Sequence, residues 1–477
     1  MPSKRLVLHE TSLDKSIEML GNLNREFELL HGRLPRVYIE TYGCQQNEAD
    51  SERILGILTA GGYKATTDKS DADLIMVNTC AVREHAELKA LSNTGGLKHL
   101  KEKNRDLIIG VCGCMIQQEH RADDIKHKYP YVDFVFGTNM THNLASIVYS
   151  ARTEKGRGFF VEDYSVNPGT LREDIPVVRE SSFRAWVSVM YGCNNFCSYC
   201  VVPYVRGRER SRKKEMILEE IRGLVADGYR EITLLGQNVN SYGKDLYQKP
   251  AFGELLREIC EIPGDFWVRF MTSHPKDATA ELCDIIAENA NITNHFHLPM
   301  QSGSDDILKA MNRKYTREEY FKYIELLRSK VPDICITSDF IVGFPGETDK
   351  DFEMTLEALK RVRFDQVYSF IYSKRHGTPA EKMENQVPEE VKKERMSRLL
   401  ELQGDISGEK NREYENKVVR VLVEGQSKTD PDMLTGRSYH NKLVHFKKPD
   451  NAKELIGNFV NVKIEKGDAF SMKGTIV

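Results

Sequence analysis

No stretch of this 477-residue chain approaches the roughly 18 consecutive apolar residues of a membrane-spanning helix, so no membrane role is expected. The opening residues, MPSKRLVLHETSLDKS, lack the apolar core and small-residue cleavage site of a signal peptide, and a cytoplasmic location is expected. There the 10 cysteines stay reduced, which excludes a disulfide framework as their purpose. Charge of one sign is also missing. With 68 Lys and Arg against 71 Asp and Glu, any nucleic-acid contact must come from local basic patches. "VGFPGE" (342–347) lacks the Lys-Ser/Thr of a phosphate-cradling P-loop, which excludes nucleotide hydrolysis. The second half of a zinc ribbon is absent too, because no further C-x2-C pair accompanies the one at 197–200.

What is present is an ordinary globular composition, 40% hydrophobic and 29% charged, on a chain long enough for about three domains. Residues 1–34 carry one amphipathic helix. Leu13, Ile17, Leu20, Leu23, Phe27 and Leu30 recur at steps of three or four, Thr11 and Asp14 resemble a capping box, and Gly32 and Pro35 stop it. It reads as a packing arm. Over residues 35–150 the runs "RVYIETYGC", "DLIMVNTC", "DLIIGVCGC" and "FVFGT" alternate with polar, helix-forming stretches, an α/β pattern with an open parallel sheet. Residues 151–182, with Pro168, Gly169 and Pro176, read as a connector. Over 183–410 six strand candidates recur with a longer beat: "AWVSVMY", "EITLLGQ", "FWVRFMTS", "HFHLPM", "ICITSDFIVGF" and "DQVYSFIYS". They suggest a partial (βα)6 barrel, with functional residues at the carboxyl ends of its strands. The charged helix at 388–414 is expected to form a solvated face. Residues 411–477 alternate β-branched residues with Gly and Asn turns, as in a small OB-like β-barrel.

Two sets of cysteines stand out. Cys44, Cys80 and Cys114 each close a strand-like run, and in an open parallel sheet ligands bind just beyond the carboxyl ends of the strands. One such cysteine would read as inert core, but three in the same positional role point to a metal site. Cys112 is expected to face the other way and pack, although it remains the ambiguous member. The second set, Cys193, Cys197 and Cys200, sits in "YGCNNFCSYC" with C-x3-C-x2-C spacing, after the first barrel strand. Three thiolates leave one iron of a four-iron cube without a protein ligand, and that iron can bind the amino and carboxylate groups of S-adenosylmethionine (SAM) and pass it one electron. Cys260, Cys283 and Cys335 lie in apolar runs and are assigned to the core. Directly after the second set comes "RGRERSRKK" (206–214), six basic residues with one acid, suited to the phosphates of an RNA stem-loop. A solvated helix start is the plainer reading of the same run.

These residues resemble the radical-SAM enzymes and, more narrowly, the methylthiotransferases, over roughly residues 36–477. That family joins an amino-terminal α/β domain, a partial barrel and a carboxyl-terminal RNA-binding barrel called TRAM, seen here as "VLVEGQSK…LTGR" and "GNFVNVKI". Its subfamilies act on isopentenylated adenosine in tRNA, on threonylcarbamoyl-adenosine in tRNA, or on an aspartate of a ribosomal protein. "NTCAVRE", "YGCNNFCSYCVVPYVRGRERSR", "LGQNVNSYG" and "HLPMQSGS" resemble the first. The ribosomal-protein enzymes usually place Gly and an aromatic residue after the second cysteine, where this chain has Ala81 and Val82.

The resemblance implies two [4Fe-4S] clusters. One, on Cys193, Cys197 and Cys200, binds and cleaves SAM; an auxiliary one, on Cys44, Cys80 and Cys114, carries the sulfur to be inserted. SAM then serves both as methyl donor and as source of a 5′-deoxyadenosyl radical, and the methylthio group joins carbon 2 of an adenosine beside the anticodon. Tyr199 is placed to pack beside the adenine of SAM or simply within the loop. Gly236 and Gln237 are expected at the SAM amino group, and Gln301 and Asp339 at ribose or substrate, although buried polar groups need partners in any case. Arg206, Arg208, Arg210 and Arg212 are expected to contact RNA. Implied partners are the tRNA, an electron donor protein and a sulfur and cluster supply system, with the chain itself a monomer. Rival readings are the two sibling acceptors, a non-catalytic iron–sulfur RNA-binding regulator and a zinc-binding structural protein.

Overall fold

The computed structural model describes residues 6, 8, 11–82, 84–154, 156–162, 164, 171–449 and 452–477. Pro168 and Gly169 of the expected connector lie outside them. The chain divides into two compact units. The first is Met1–Glu180 with Tyr191–Asn194 and Val201–Arg210; the second is Ser181–Met190, Asn195–Cys200 and Ser211–Val477.

The first unit is built on a six-stranded sheet: β1 Arg36–Thr41, β2 Lys64–Ala65, β3 Leu74–Thr79, β4 Ile108–Gly113, β5 Phe134–Phe136 and β6 Gly158–Phe160. Every pairing is parallel, in the order 2-1-3-4-5-6. β3 and β4 are buried along their whole length, because alternate side chains feed two separate cores. Leu74, Met76 and Ile108 face one layer, and Ile75, Val77, Ile109 and Val111 the other. A strand covered on both faces reads as a continuous apolar run, as "LIMV" does. The short edge strands β2 and β6 were not expected; β6 falls at the start of the region read as connector.

The amino-terminal helix, α1 (Leu13–His31), packs Leu13 and Leu20 into the layer below β3 and β4. Its cap is Ser12 rather than Thr11: the Ser12 hydroxyl accepts the Lys15 N–H, while Thr11 pairs with Ser16. Gly32 ends it at φ +69. Leu30, counted on the apolar stripe, is 81% exposed.

The second unit contains six parallel strands: β7 Arg184–Ser188, β8 Glu231–Leu235, β9 Trp267–Phe270, β10 His295–His297, β11 Cys335–Val342 and β12 Gln366–Ile371. They form two three-stranded sheets, 9-8-7 and 10-11-12, linked by a parallel bridge between Val268 and Ile292. This is the expected partial barrel. Residues 418–426, 433–438, 443–447, 459–467 and 472–476 close a separate five-stranded barrel. The helix Glu389–Arg412 corrects the expectation of a plain solvated face. Lys392 and Arg395 are buried, and Arg395 reaches Glu347 at 2.8 Å and Asp349 at 2.7 Å. A charge removed from water persists only when paired in this way. Among the described residues, no helix is long and apolar enough to cross a membrane.

The packing of α1 yields a contrast. Leu20→Ala is expected to lower the stability of the first unit by about 2–4 kcal/mol, the range for an emptied leucine site. Leu30→Ala should change it by less than about 0.5 kcal/mol. Denaturant unfolding of the full chain reads both; equal effects would show that α1 does not pack as described.

Candidate functional site

The register of the first sheet brings three cysteines to one place. Thr41 lies opposite Asn78, and Thr79 opposite Gly113. Cys80 and Cys114 are the next residues along β3 and β4, and Cys44 caps the helix Gln45–Ala60 that follows β1. The neighbouring Cys80, with burial, raises the Cys44 pKa well above the ordinary thiol value. Burial pushes the Cys114 thiol up to about 11, with Arg206 pulling the other way. Gly43 permits the approach. Its φ is +123, and a Cβ there would overlap Cys80 Cβ and stand 2.8 Å from Cys80 Sγ. Cys112 packs in the core with Leu74 and Met76, because Gly113 at φ +97 turns the chain between it and Cys114.

Two buried asparagines hold the trio. Asn47 Nδ2 donates to the Thr79 carbonyl at 2.8 Å, and Asn78 Nδ2 donates to the Asn47 carbonyl at 2.8 Å and to Ser51 Oγ at 2.9 Å. The Cys44 thiol donates to Asn47 Oδ1 at 3.4 Å. Neither asparagine was singled out from the sequence. The available signal was a strongly polar residue three positions after Cys44 and another two before Cys80.

The basic run departs from its expected role at two positions. Arg206 is only 5% exposed: its Nε is 3.1 Å from Cys114 Sγ and its Nη2 is 2.7 Å from Asp50 Oδ2. Arg212, also 5% exposed, is held by Glu220 at 2.7 Å and the Ser188 carbonyl at 2.8 Å. Both guanidiniums are committed to protein partners, so neither is a surface phosphate contact. Arg208 is exposed, and Arg210 is half-buried.

The C-x3-C-x2-C segment is shared between the units. Cys193 belongs to the first, where its N–H donates to the Gly207 carbonyl at 3.1 Å. Cys197 and Cys200 belong to the second and share one turn, with Cys200 N–H on the Cys197 carbonyl at 3.0 Å. That turn is pinned by residues 310–313. Ser198 Oγ donates to the Ala310 carbonyl at 2.8 Å, Asn312 Nδ2 to the Phe196 carbonyl at 2.9 Å, and Arg313 Nη1 lies 3.5 Å from Cys197 Sγ. Sequence reasoning missed Arg313, whose "MNRKY" context carries no recognisable signal. Tyr199 packs with Ile307, Met311 and Phe344, its ring 6.5 Å from that of Phe344.

At the carboxyl ends of the barrel strands, buried polar atoms lack partners among the described residues: Asn238 Oδ1 and both amide atoms of Asn240 after β8, Ser273 Oγ after β9, and Gln301 Oε1 after β10. Gly236 and Gln237 lie at the same end of β8. Gln301 takes φ +72 and exchanges backbone hydrogen bonds with Asp339 and Ile341. Asp339 Oδ1 is 3.7 Å from His297 Nε2. Such a row of unmatched donors and acceptors fits a polar ligand with amine, carboxylate and hydroxyl groups, as SAM has. Among the described residues, no three His, Cys, Asp or Glu side chains are gathered tightly enough to hold a single metal ion.

Comparisons with known proteins give consistent findings. The profile described as Radical SAM superfamily matches residues 187–359, that described as Uncharacterized protein family UPF0004 matches 36–137, and the TRAM domain matches 412–477. The tRNA-2-methylthio-N(6)-dimethylallyladenosine synthase of Carboxydothermus hydrogenoformans is 52% identical over 440 residues, covering 92% of this chain and 99% of that protein. The protein of the same name from Thermoanaerobacter pseudethanolicus is 50% identical over 477 residues, covering 100% and 99%. Among solved structures, the radical S-adenosylmethionine methyltransferase TsrM of Kitasatospora setae aligns with a TM-score of 0.54 at 14% identity, over 72% of this chain and 75% of that one, a likeness of fold.

The close approach at Gly43 supplies a test. Gly43→Ala should displace Cys80 and lower the iron bound after anaerobic reconstitution by one cluster's worth, about four atoms. Gly223→Ala, whose Cβ meets nothing within 4 Å, should leave it unchanged. Equal iron in both variants would show that Cys80 needs no such position.

Proposed function

The chain belongs to the radical-SAM methylthiotransferase family, and on that premise we propose that it transfers a methylthio group to carbon 2 of N6-(dimethylallyl)adenosine beside the anticodon of tRNA. The relatives that are about 50% identical over nearly the whole chain carry this activity in their names. The observation that carries the reading is the meeting of Cys44, Cys80 and Cys114 at neighbouring strand ends, in a chain that also has the C-x3-C-x2-C loop. A chain with one thiolate trio could cleave SAM; the second trio gives sulfur its own place.

Radical-SAM enzymes use SAM and a [4Fe-4S] cluster, which Cys193, Cys197 and Cys200 would hold; an auxiliary cluster would sit on Cys44, Cys80 and Cys114. When bound, these groups supply an electron, a methyl group and a sulfur atom. The residues of the chain prepare the ground. Arg206 and Arg313 each aim a buried guanidinium at a cysteine sulfur, offsetting the negative charge that three thiolates bring. Asn240, Ser273 and Gln301 offer buried hydrogen-bonding atoms to SAM. Gln237 and Asp339 stand at the same strand ends as neighbours for its amino group and ribose. Tyr199 closes the apolar side, packed on Phe344. The acceptor adenine must leave its stack to expose carbon 2, as bases do in other base-modifying enzymes. An electron donor protein and a sulfur and cluster supply system complete the cycle, and the chain works as a monomer in the cytoplasm.

Two substitutions separate the roles. Cys197→Ala should abolish formation of 5′-deoxyadenosine from SAM. Cys80→Ala should retain some of it and give no 2-methylthio product, read by mass analysis of tRNA nucleosides. Loss of RNA binding alone in both variants would overturn the two-cluster reading, and an intact 2-methylthio mark in a deletion strain would overturn the acceptor.

A further inference from the structure

A small cavity of about 60 Å³ opens in the first unit. Four of its lining residues are arginines, Arg53, Arg172, Arg206 and Arg210, and among the described lining residues Asp50 is the one carboxylate. Four guanidiniums around one small space repel one another, and Asp50 is already engaged by Arg206 at 2.7 Å. From outside the lining, Asp174 holds Arg172 through both carboxylate oxygens, Oδ1 at 2.8 Å from Nε.

The geometry holds these cations in place rather than letting them spread. Arg210 lies 5.3 Å from the centre of the Tyr164 ring and donates one Nη2 bond to the Arg206 carbonyl, at 2.9 Å. Tyr164 is itself fixed by Thr138 at 2.8 Å. Arg53 lies 5.3 Å from the ring of Tyr191 and donates to its hydroxyl. The Nε–H of Arg210 is buried and meets no acceptor among the described residues. A buried donor without a partner is destabilising, so an acceptor supplied from outside restores what the fold leaves unsatisfied. The space suits a phosphate-sized anion.

We propose that this cavity receives a backbone phosphate of the substrate RNA, one adjoining the adenosine that reacts. The placement argues for RNA over a free anion. Arg206 lines the cavity and its Nε reaches Cys114 Sγ at 3.1 Å, so the cavity begins one side chain away from the trio assigned to the sulfur. A base presented to that sulfur brings its flanking phosphate within a nucleotide's reach. Arg210 and Arg172 contact the phosphate, Arg206 contributes its field, and the pocket fixes the register of the loop without reading its sequence. This inference rests on the reading of the chain as a tRNA-modifying enzyme.

The test uses the reconstituted full chain and a labelled anticodon stem-loop bearing the isopentenylated adenosine, with affinity measured over a range of salt. In one arm each loop phosphate is replaced singly by a neutral methylphosphonate, against unaltered protein. In the other, Arg210→Gln and Arg172→Gln meet the unmodified RNA, with iron content and circular dichroism confirming the fold. We expect one methylphosphonate position to weaken binding about tenfold, and Arg210→Gln to weaken it by a similar factor and flatten the salt slope by about 0.7. In Arg210→Gln that same methylphosphonate should cost less than about twofold, because the contact is already gone. Wild-type affinity and slope in both arginine variants, or losses that multiply at every phosphate, overturn the proposal and leave the function standing. Wild-type protein that binds but never methylthiolates this RNA overturns the function while the phosphate arm still reads the pocket; wild-type protein that does not bind it overturns both.

Discussion

One carbonyl oxygen ties the first site together. The Thr79 carbonyl accepts the Cys114 N–H at 2.9 Å and the Asn47 side-chain amide at 2.8 Å, using both of its lone pairs. The first bond locks the end of β4 to the end of β3; the second fastens the helix headed by Cys44 to the same point. Asn78 returns the tie by donating to the Asn47 carbonyl. These groups are buried, so losing one partner strands the other at a cost of about 1–3 kcal/mol, and the arrangement holds or fails as a unit. Three cysteines 36 and 34 residues apart in sequence become neighbours only because this polar knot fixes where three parallel strands end.

The second trio is built on the opposite principle. Its cysteines are close in sequence, and what the fold must supply is rigidity. Residues 310–313 do this for the turn holding Cys197 and Cys200, with Asn312 in a left-handed conformation at φ +59 feeding its amide to the Phe196 carbonyl, and Phe196 itself at φ +46. Left-handed backbone at two non-glycine residues is unfavourable in isolation and persists where surrounding contacts determine it. Each trio also has one buried arginine at hydrogen-bonding range of a sulfur, reached by a different route: Arg206 follows the cysteine loop, and Arg313 comes from beyond β10.

This contrast explains what could be read from the sequence. The six barrel strands were legible because each is an apolar run of adequate length between helical segments, and β1, β3 and β4 because burial on two faces makes them uniformly apolar. The convergence of Cys44, Cys80 and Cys114 followed from topology alone, since strand ends in a parallel sheet share one edge. β2 and β6 were not legible: two and three residues carry no periodicity. Nor were the fates of Arg206 and Arg212, because a basic run looks the same whether its charges meet solvent or, as here, Asp50 and Glu220. The buried face of the helix Glu389–Arg412 was hidden likewise, its Lys392 and Arg395 being charged residues spent inside. Partner choice is a three-dimensional property, and composition does not record it.

The terminal barrel occupies the end of the parallel barrel away from the candidate SAM site. Its contacts fall where strands begin: Arg420 with Asp265 before β9, Tyr439 with the carbonyls of Ala290 and Ile292, His440 with Asp333 before β11, and buried Lys442 with Asp365 before β12, at 2.7 Å. The Phe459 ring packs at a tilt against Trp267, the first residue of β9, with centres 4.5 Å apart. The unmatched polar atoms of Asn240, Ser273 and Gln301 lie where strands finish. β11 alone, eight residues at about 3.3 Å each, runs about 26 Å from one end toward the other. An RNA held by the terminal barrel and reacting at the strand ends must therefore run the depth of the parallel barrel. The buried Lys442–Asp365 pair, with Asn411 as the third partner at 2.9 Å, makes that spacing a fixed property of the second unit rather than a matter of a flexible tether.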